Sequence, residues 1–72
     1  MDLQEARNSI SRIDEELTSL FVKRMELSKE IAAYKKDNHM SVFDRSRERE
    51  VVNHVCDLAG KDFESYIRVL YG

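Results

Sequence analysis

The chain has 72 residues, 36% of them charged, yet twelve cations against fourteen carboxylates leave a net charge of only −2. A nonspecific nucleic-acid binder is normally basic, so that class is disfavoured from the start. One cysteine excludes an intramolecular disulfide, Cys/His ligand spacing for a metal is absent, and a chain this short buries only about 60% of its unfolded surface, which leaves oligomerisation as the means of stabilisation.

No proline and only two glycines predict helices with few turns, an all-α fold in one domain over residues 1–72. Met1 to Glu5 has neither a basic n-region nor an apolar h-region, and no apolar run is long enough to span a membrane. A cytoplasmic chain with a reduced, buried Cys56 is expected. Leu3, Ala6, Ile10, Ile13, Leu17, Leu20, Leu27, Ile31 and Tyr34 recur at alternating spacings of three and four, the heptad seam of a packed helix. The spacing predicts a first helix from Leu3 to Lys36 or Asn38, a rod of about 50 Å that the remainder of the chain cannot cover. Asp37-Asn38-His39 then breaks the period, and Met40 to Phe43 reads as an extended connector.

Asp44 is the candidate N-cap of a second helix, whose apolar residues Val51, Val52, Val55, Cys56, Leu58 and Ala59 fall at helical spacing. Gly60 supplies a left-handed stop. Asp62 is placed to cap a third helix with Phe63, Tyr66, Ile67 and Leu70 on its inner face, which is short because the sequence ends at Gly72. Tyr34, Phe63 and Tyr66 read as core aromatics, His39 as a loop histidine and His54 as a surface one.

One position breaks the seam of the first helix, and it is Arg24. A guanidinium in an apolar stripe calls for an anion, and the residues three and four away are Leu20, Phe21, Leu27 and Ser28. The anion must then come from elsewhere in the fold, a second chain or a ligand. Arg7 and Lys35, which flank the seam, also have no acid at three or four residues, whereas Arg12, Lys23 and Lys29 do. Lys36 shares the lack, so position separates them. Arg24 and Lys35 are eleven residues apart, three turns to within about 20°, and bracket a small anion along roughly 16 Å of rise. Arg7 is about 26 Å of rise from Arg24, too far to join them in one chain. If two first helices pack antiparallel about a twofold near residue 20 or 21, however, position 7 of one falls opposite position 34 of the other. The partner's Arg7 then reaches the Arg24/Lys35 pair, and symmetry makes two such sites.

Asp44 and Glu48 extend the stripe Val52, Val55, Ala59 backward and face inward at the entrance of the second helix, with Arg47 beside them. Blander readings stand next to these. Arg24 also fits a snorkelling or interchain-paired arginine, and Asp44 and Glu48 fit caps and dipole partners. Arg45, Arg47 and Arg49 spread around a helix axis as a solvated face.

The ordered set Ala6-Arg7, Ile13-Asp14, Leu17, Leu20, Arg24, Leu27, Ile31, Lys35 and Val42-Phe43-Asp44-Arg45-Ser46-Arg47-Glu48 resembles the all-helical chorismate mutase family over nearly the whole chain. The resemblance implies an intertwined antiparallel helical homodimer with two shared active sites that rearranges chorismate to prephenate, without cofactor or metal, at the branch to phenylalanine and tyrosine. It further implies that Arg24 and the partner's Arg7 hold carboxylates and that Lys35 donates to the ether oxygen. Glu48 with the Asp44 backbone orients the ring hydroxyl, and Arg47 supports the site from the second helix. Family members continue the third helix and present from it a glutamine to the ether oxygen, with a serine one turn earlier. This sequence ends before either. Losing one donor to developing charge costs about a hundred- to a thousand-fold in rate, so weak or no activity, or a dimer that rearranges to cover the exposed surface, is expected. Two other functions share the scaffold: an isochorismate pyruvate lyase, told apart by salicylate and pyruvate as products, and a noncatalytic helical dimerisation or regulatory module that binds ligand without turnover.

Overall fold

The structure, a computed structural model, describes residues 2–72, so Met1 of the N-terminal reading lies outside the described residues. Three α-helices occur in chain order: α1 (Leu3–Asp37), α2 (Arg45–Ala59) and α3 (Glu64–Tyr71), with a 3₁₀ turn at Lys61–Phe63 leading into α3. No strand occurs among the described residues, and no helix is long and apolar enough to cross a membrane. The fold is all-α, one long helix and two shorter ones. The chain divides into two compact units, Met1–Met40 and Ser41–Gly72.

The first unit is α1 and its caps. The Asp2 carboxylate accepts from the Gln4 N–H at 3.1 Å, satisfying one of the donors a helix start leaves over. Glu5 in the first turn and Lys35 and Lys36 in the last complement the helix dipole. At the far end the Asn38 N–H reaches the Tyr34 carbonyl (3.1 Å), the His39 N–H that of Lys36 (3.3 Å) and the Met40 N–H that of Lys35 (2.7 Å). This is a Schellman closure, and it requires the left-handed backbone found at His39, φ 55°. No residue of α1 is buried. The seam, interrupted at Arg24, is open, with Leu20 61% and Tyr34 63% exposed. The expected core role of Tyr34 is therefore not met within the single chain.

The second unit is a helical hairpin. The Asp44 side chain accepts from the Arg47 N–H at 3.1 Å and caps α2 as expected. At its other end Gly60 donates to the Cys56 carbonyl and takes φ 84°, ψ 167°. This is a stop of positive φ, but an extended one rather than the left-handed helical conformation, in a region open essentially to glycine alone. The expected cap by Asp62 does not form. Gly60 occupies the cap position of the 3₁₀ turn, the Phe63 N–H closes on the Gly60 carbonyl at 3.2 Å, and α3 has no side-chain cap.

Cys56, 7% exposed, is the one buried side chain of the described residues. Half-buried around it are Val51, Val52, Val55 and Ala59 of α2 and Ile67 and Tyr71 of α3. The inner face of α3 thus differs from the expected one, because Phe63, Tyr66 and Leu70 are exposed. The apolar residues of α3, Val69 included, wrap more than half of a short helix. Periodicity selects the middle of that arc, whereas the hairpin brings only its edge, Ile67 and Tyr71, onto α2. Phe63 and Tyr66 stack on each other instead, ring centroids 6.3 Å apart and tilted by 43°. Leu58 likewise faces solvent.

Candidate active site

The candidate site residues divide between the two units, and the geometry of each set is local. In the first unit α1 runs unbroken from Leu3 to Asp37, so the phase between its residues is that of a regular helix. Arg24 and Lys35 lie on one side of it, three turns apart, as the spacing predicts. Arg7 lies five turns before Arg24 and is not brought near it along this helix. Arg7 and Arg24 are exposed and Lys35 is half-buried. Arg24 is engaged in an interaction within the chain. Long cationic stems laid along an apolar stripe, with heads at its surface, are the expected behaviour of arginine and lysine.

Lys35 differs from the other two cations in its backbone. It sits in the final turn of α1, where carbonyls are left over, and its own carbonyl receives the Met40 N–H. The flanking carbonyls are also taken: Tyr34 accepts from the Asn38 N–H and from Asn38 Nδ2 at 2.9 Å, and Lys36 accepts from the His39 N–H. The candidate lysine is thus carried on a turn whose end is closed.

In the second unit Asp44, Arg47 and Glu48 cluster at the start of α2. Asp44 serves twice, its carboxylate taking the Arg47 N–H and its carbonyl the Glu48 N–H at 3.0 Å. Arg47 Nη1 reaches Glu50 Oε2 at 3.2 Å across one turn, an exposed pair. Glu48 lies on the stripe of Val52, Val55 and Ala59, in the first turn of α2. The cap role of Asp44 is therefore realised, by its side chain and its carbonyl together.

These two sets differ in what they can bind. Cations on one side of α1 suit carboxylates and an oxygen that gains negative charge, while a glutamate at a helix start suits a hydroxyl donor. Among the described residues no group of histidine, cysteine and carboxylate side chains is placed to hold a metal ion. A groove of about 460 Å³ opens on the α2–α3 hairpin, lined by Cys56, Asp57, Lys61, Glu64 and Arg68 among others. It contains none of the candidate residues. Its wall carries an ion pair across one turn of α3, Arg68 to Glu64 at 2.8 Å. The hydrogen bond that Arg68 donates to Glu64 raises the pKa of Arg68 above its ordinary value, with a smaller push from Cys56, and leaves a charge that is permanent in any case. What spacing alone did not announce is the left-handed His39 behind Lys35, although Asn-His at a helix end is a pair that tolerates that conformation.

Neither a curated protein nor a solved structure matches the chain. A protein-family model does, that of chorismate mutase type II, over residues 6–71. That stretch contains Arg7, Arg24, Lys35, Asp44, Arg47 and Glu48, the same residues that the charge pattern and the caps single out. On the strength of that match the chain belongs to the type II chorismate mutase family.

Proposed function

We propose that the chain catalyses, with weak turnover, the rearrangement of chorismate to prephenate in phenylalanine and tyrosine biosynthesis, as an intertwined antiparallel homodimer with two shared sites. The observation that carries the proposal is the family match across 6–71, a stretch that contains Arg7, Arg24, Lys35, Asp44, Arg47 and Glu48. The chemistry needs no nucleophile and no redox group. As the C–O bond of the ether breaks and a C–C bond forms, negative charge develops on the ether oxygen, and fixed cations stabilise it. Arg24 and the partner's Arg7 hold the two carboxylates and set the reactive geometry. Lys35 donates to the ether oxygen. Glu48 and the Asp44 backbone orient the ring hydroxyl, and Arg47 supports them from α2.

The homodimer is supported by the seam of α1, whose large apolar residues from Leu3 to Tyr34 are exposed. A second α1, antiparallel, supplies both a cover for them and the missing arginine. We place the enzyme in the cytoplasm, in keeping with Cys56 as a free thiol.

The test is turnover of chorismate with identification of the product. Prephenate supports the proposal; no turnover, or salicylate and pyruvate formed from isochorismate, overturns it. The sharing of sites is tested by mixing Arg7→Ala and Arg24→Ala chains, each inactive alone. Random re-association of shared sites restores roughly a quarter of the unsubstituted activity, because half the dimers are mixed and each regains one intact site. A mixture as inactive as its components removes the shared site.

A further inference from the structure

We propose that the left-handed backbone of His39 is a positioning device for Lys35, an inference that rests on the role proposed for Lys35 above. Lys35 lies two residues before the last helical residue, in the turn that ordinarily frays, and a donor to developing charge loses about a hundred-fold in rate for a displacement near 1 Å. The turn does not end loosely here. The Asn38, His39 and Met40 N–H groups close on Tyr34, Lys36 and Lys35 in crossed order, and the bond to the Lys35 carbonyl is the shortest of the three at 2.7 Å. That bond exists only because the chain reverses at His39, whose φ of 55° is the only positive value outside glycine among the described residues. A side chain there meets a steric penalty which glycine avoids, so the conformation is held by the closure of the turn on either side of it rather than by intrinsic preference. His39 acts through its backbone; its imidazole has no part in the proposed chemistry.

The experiment is a substitution series at His39 in the full chain, read as kcat and KM for chorismate per folded protein, with the folded fraction taken from circular dichroism. Glycine and asparagine accept the left-handed conformation, alanine resists it, and β-branched valine resists it most. The expected order of kcat is therefore Gly and Asn near the unsubstituted value, then Ala, then Val lower by about tenfold or more, with KM little changed. Where His39→Val does not fold, His39→Ala takes its place in the comparison. In a Lys35→Ala background the valine change costs no further activity, which a general loss of structure does not imitate. Hydrogen exchange gives a readout without activity: the Met40 amide stays protected in His39→Gly and loses protection in His39→Val.

Three results overturn the proposal: a kcat for His39→Val equal to the unsubstituted one, a loss in His39→Gly as large as in His39→Val, or a loss that persists undiminished beside Lys35→Ala. If instead Lys35→Ala leaves turnover unchanged, the role of Lys35 is wrong and the positioning falls with it. That outcome is read from Lys35 alone and is distinct from failure of the series.

Discussion

Leu20 offers the sharpest test of how this chain is completed. It stands at the middle of the α1 seam, next to the point about which two antiparallel helices would be related, and is 61% exposed in the single chain. For a chain acting alone, Leu20→Ala removes methyl groups that mostly face water already, and exposed substitutions stay within about 0.5 kcal/mol. In the proposed antiparallel dimer each Leu20 would cover its symmetry mate. Full burial of a leucine is worth about 1.5–3 kcal/mol, so withdrawing the exposed 61% accounts for roughly 1–2 kcal/mol per chain and twice that per dimer, before any cavity is counted. Urea unfolding followed by circular dichroism, at two protein concentrations a decade apart, measures it. The dimer predicts a midpoint that rises with concentration and a large loss in Leu20→Ala. A midpoint independent of concentration, together with a change inside about 0.5 kcal/mol, refutes the argument.

Other expectations concern single positions. At Gly60 an added Cβ meets nothing within 4 Å, so Gly60→Ala costs only its backbone strain at φ 84°, ψ 167°, about 1–3 kcal/mol; calorimetry should show a fall in Tm of roughly 4–8 °C per kcal/mol, and an unchanged Tm would mean the turn relaxes freely. Asp44→Ala removes the α2 cap and loses about 1 kcal/mol, while Asp44→Asn keeps it; equal stability of the two in chemical denaturation would show the 3.1 Å bond to be idle. Lys35→Ala lowers kcat by about a hundred-fold or more without loss of helix content, and unfolding in its place would mark Lys35 as structural.

The candidate site was open to sequence reasoning wherever its logic was local. Arg24 in the seam, the acid-poor surroundings of Arg7 and Lys35, and the cap at Asp44 all depend on neighbours within four residues, and helical spacing converts those directly into a face or a bond. The closure behind Lys35 is also short in range, but it turns on a backbone angle at His39 that composition does not specify.

By itself, the sequence determined three helices, an α1 that ends between Lys36 and Asn38, an α2 that starts after Asp44, and a stop at Gly60, because periodicity, caps and the conformational freedom of glycine act within a turn or two of chain. The tertiary structure decided what no period contains. Ile67 and Tyr71, rather than Phe63, Tyr66 and Leu70, meet α2, because an apolar arc wider than one neighbour offers several faces and the extended Gly60 and the 3₁₀ turn choose among them.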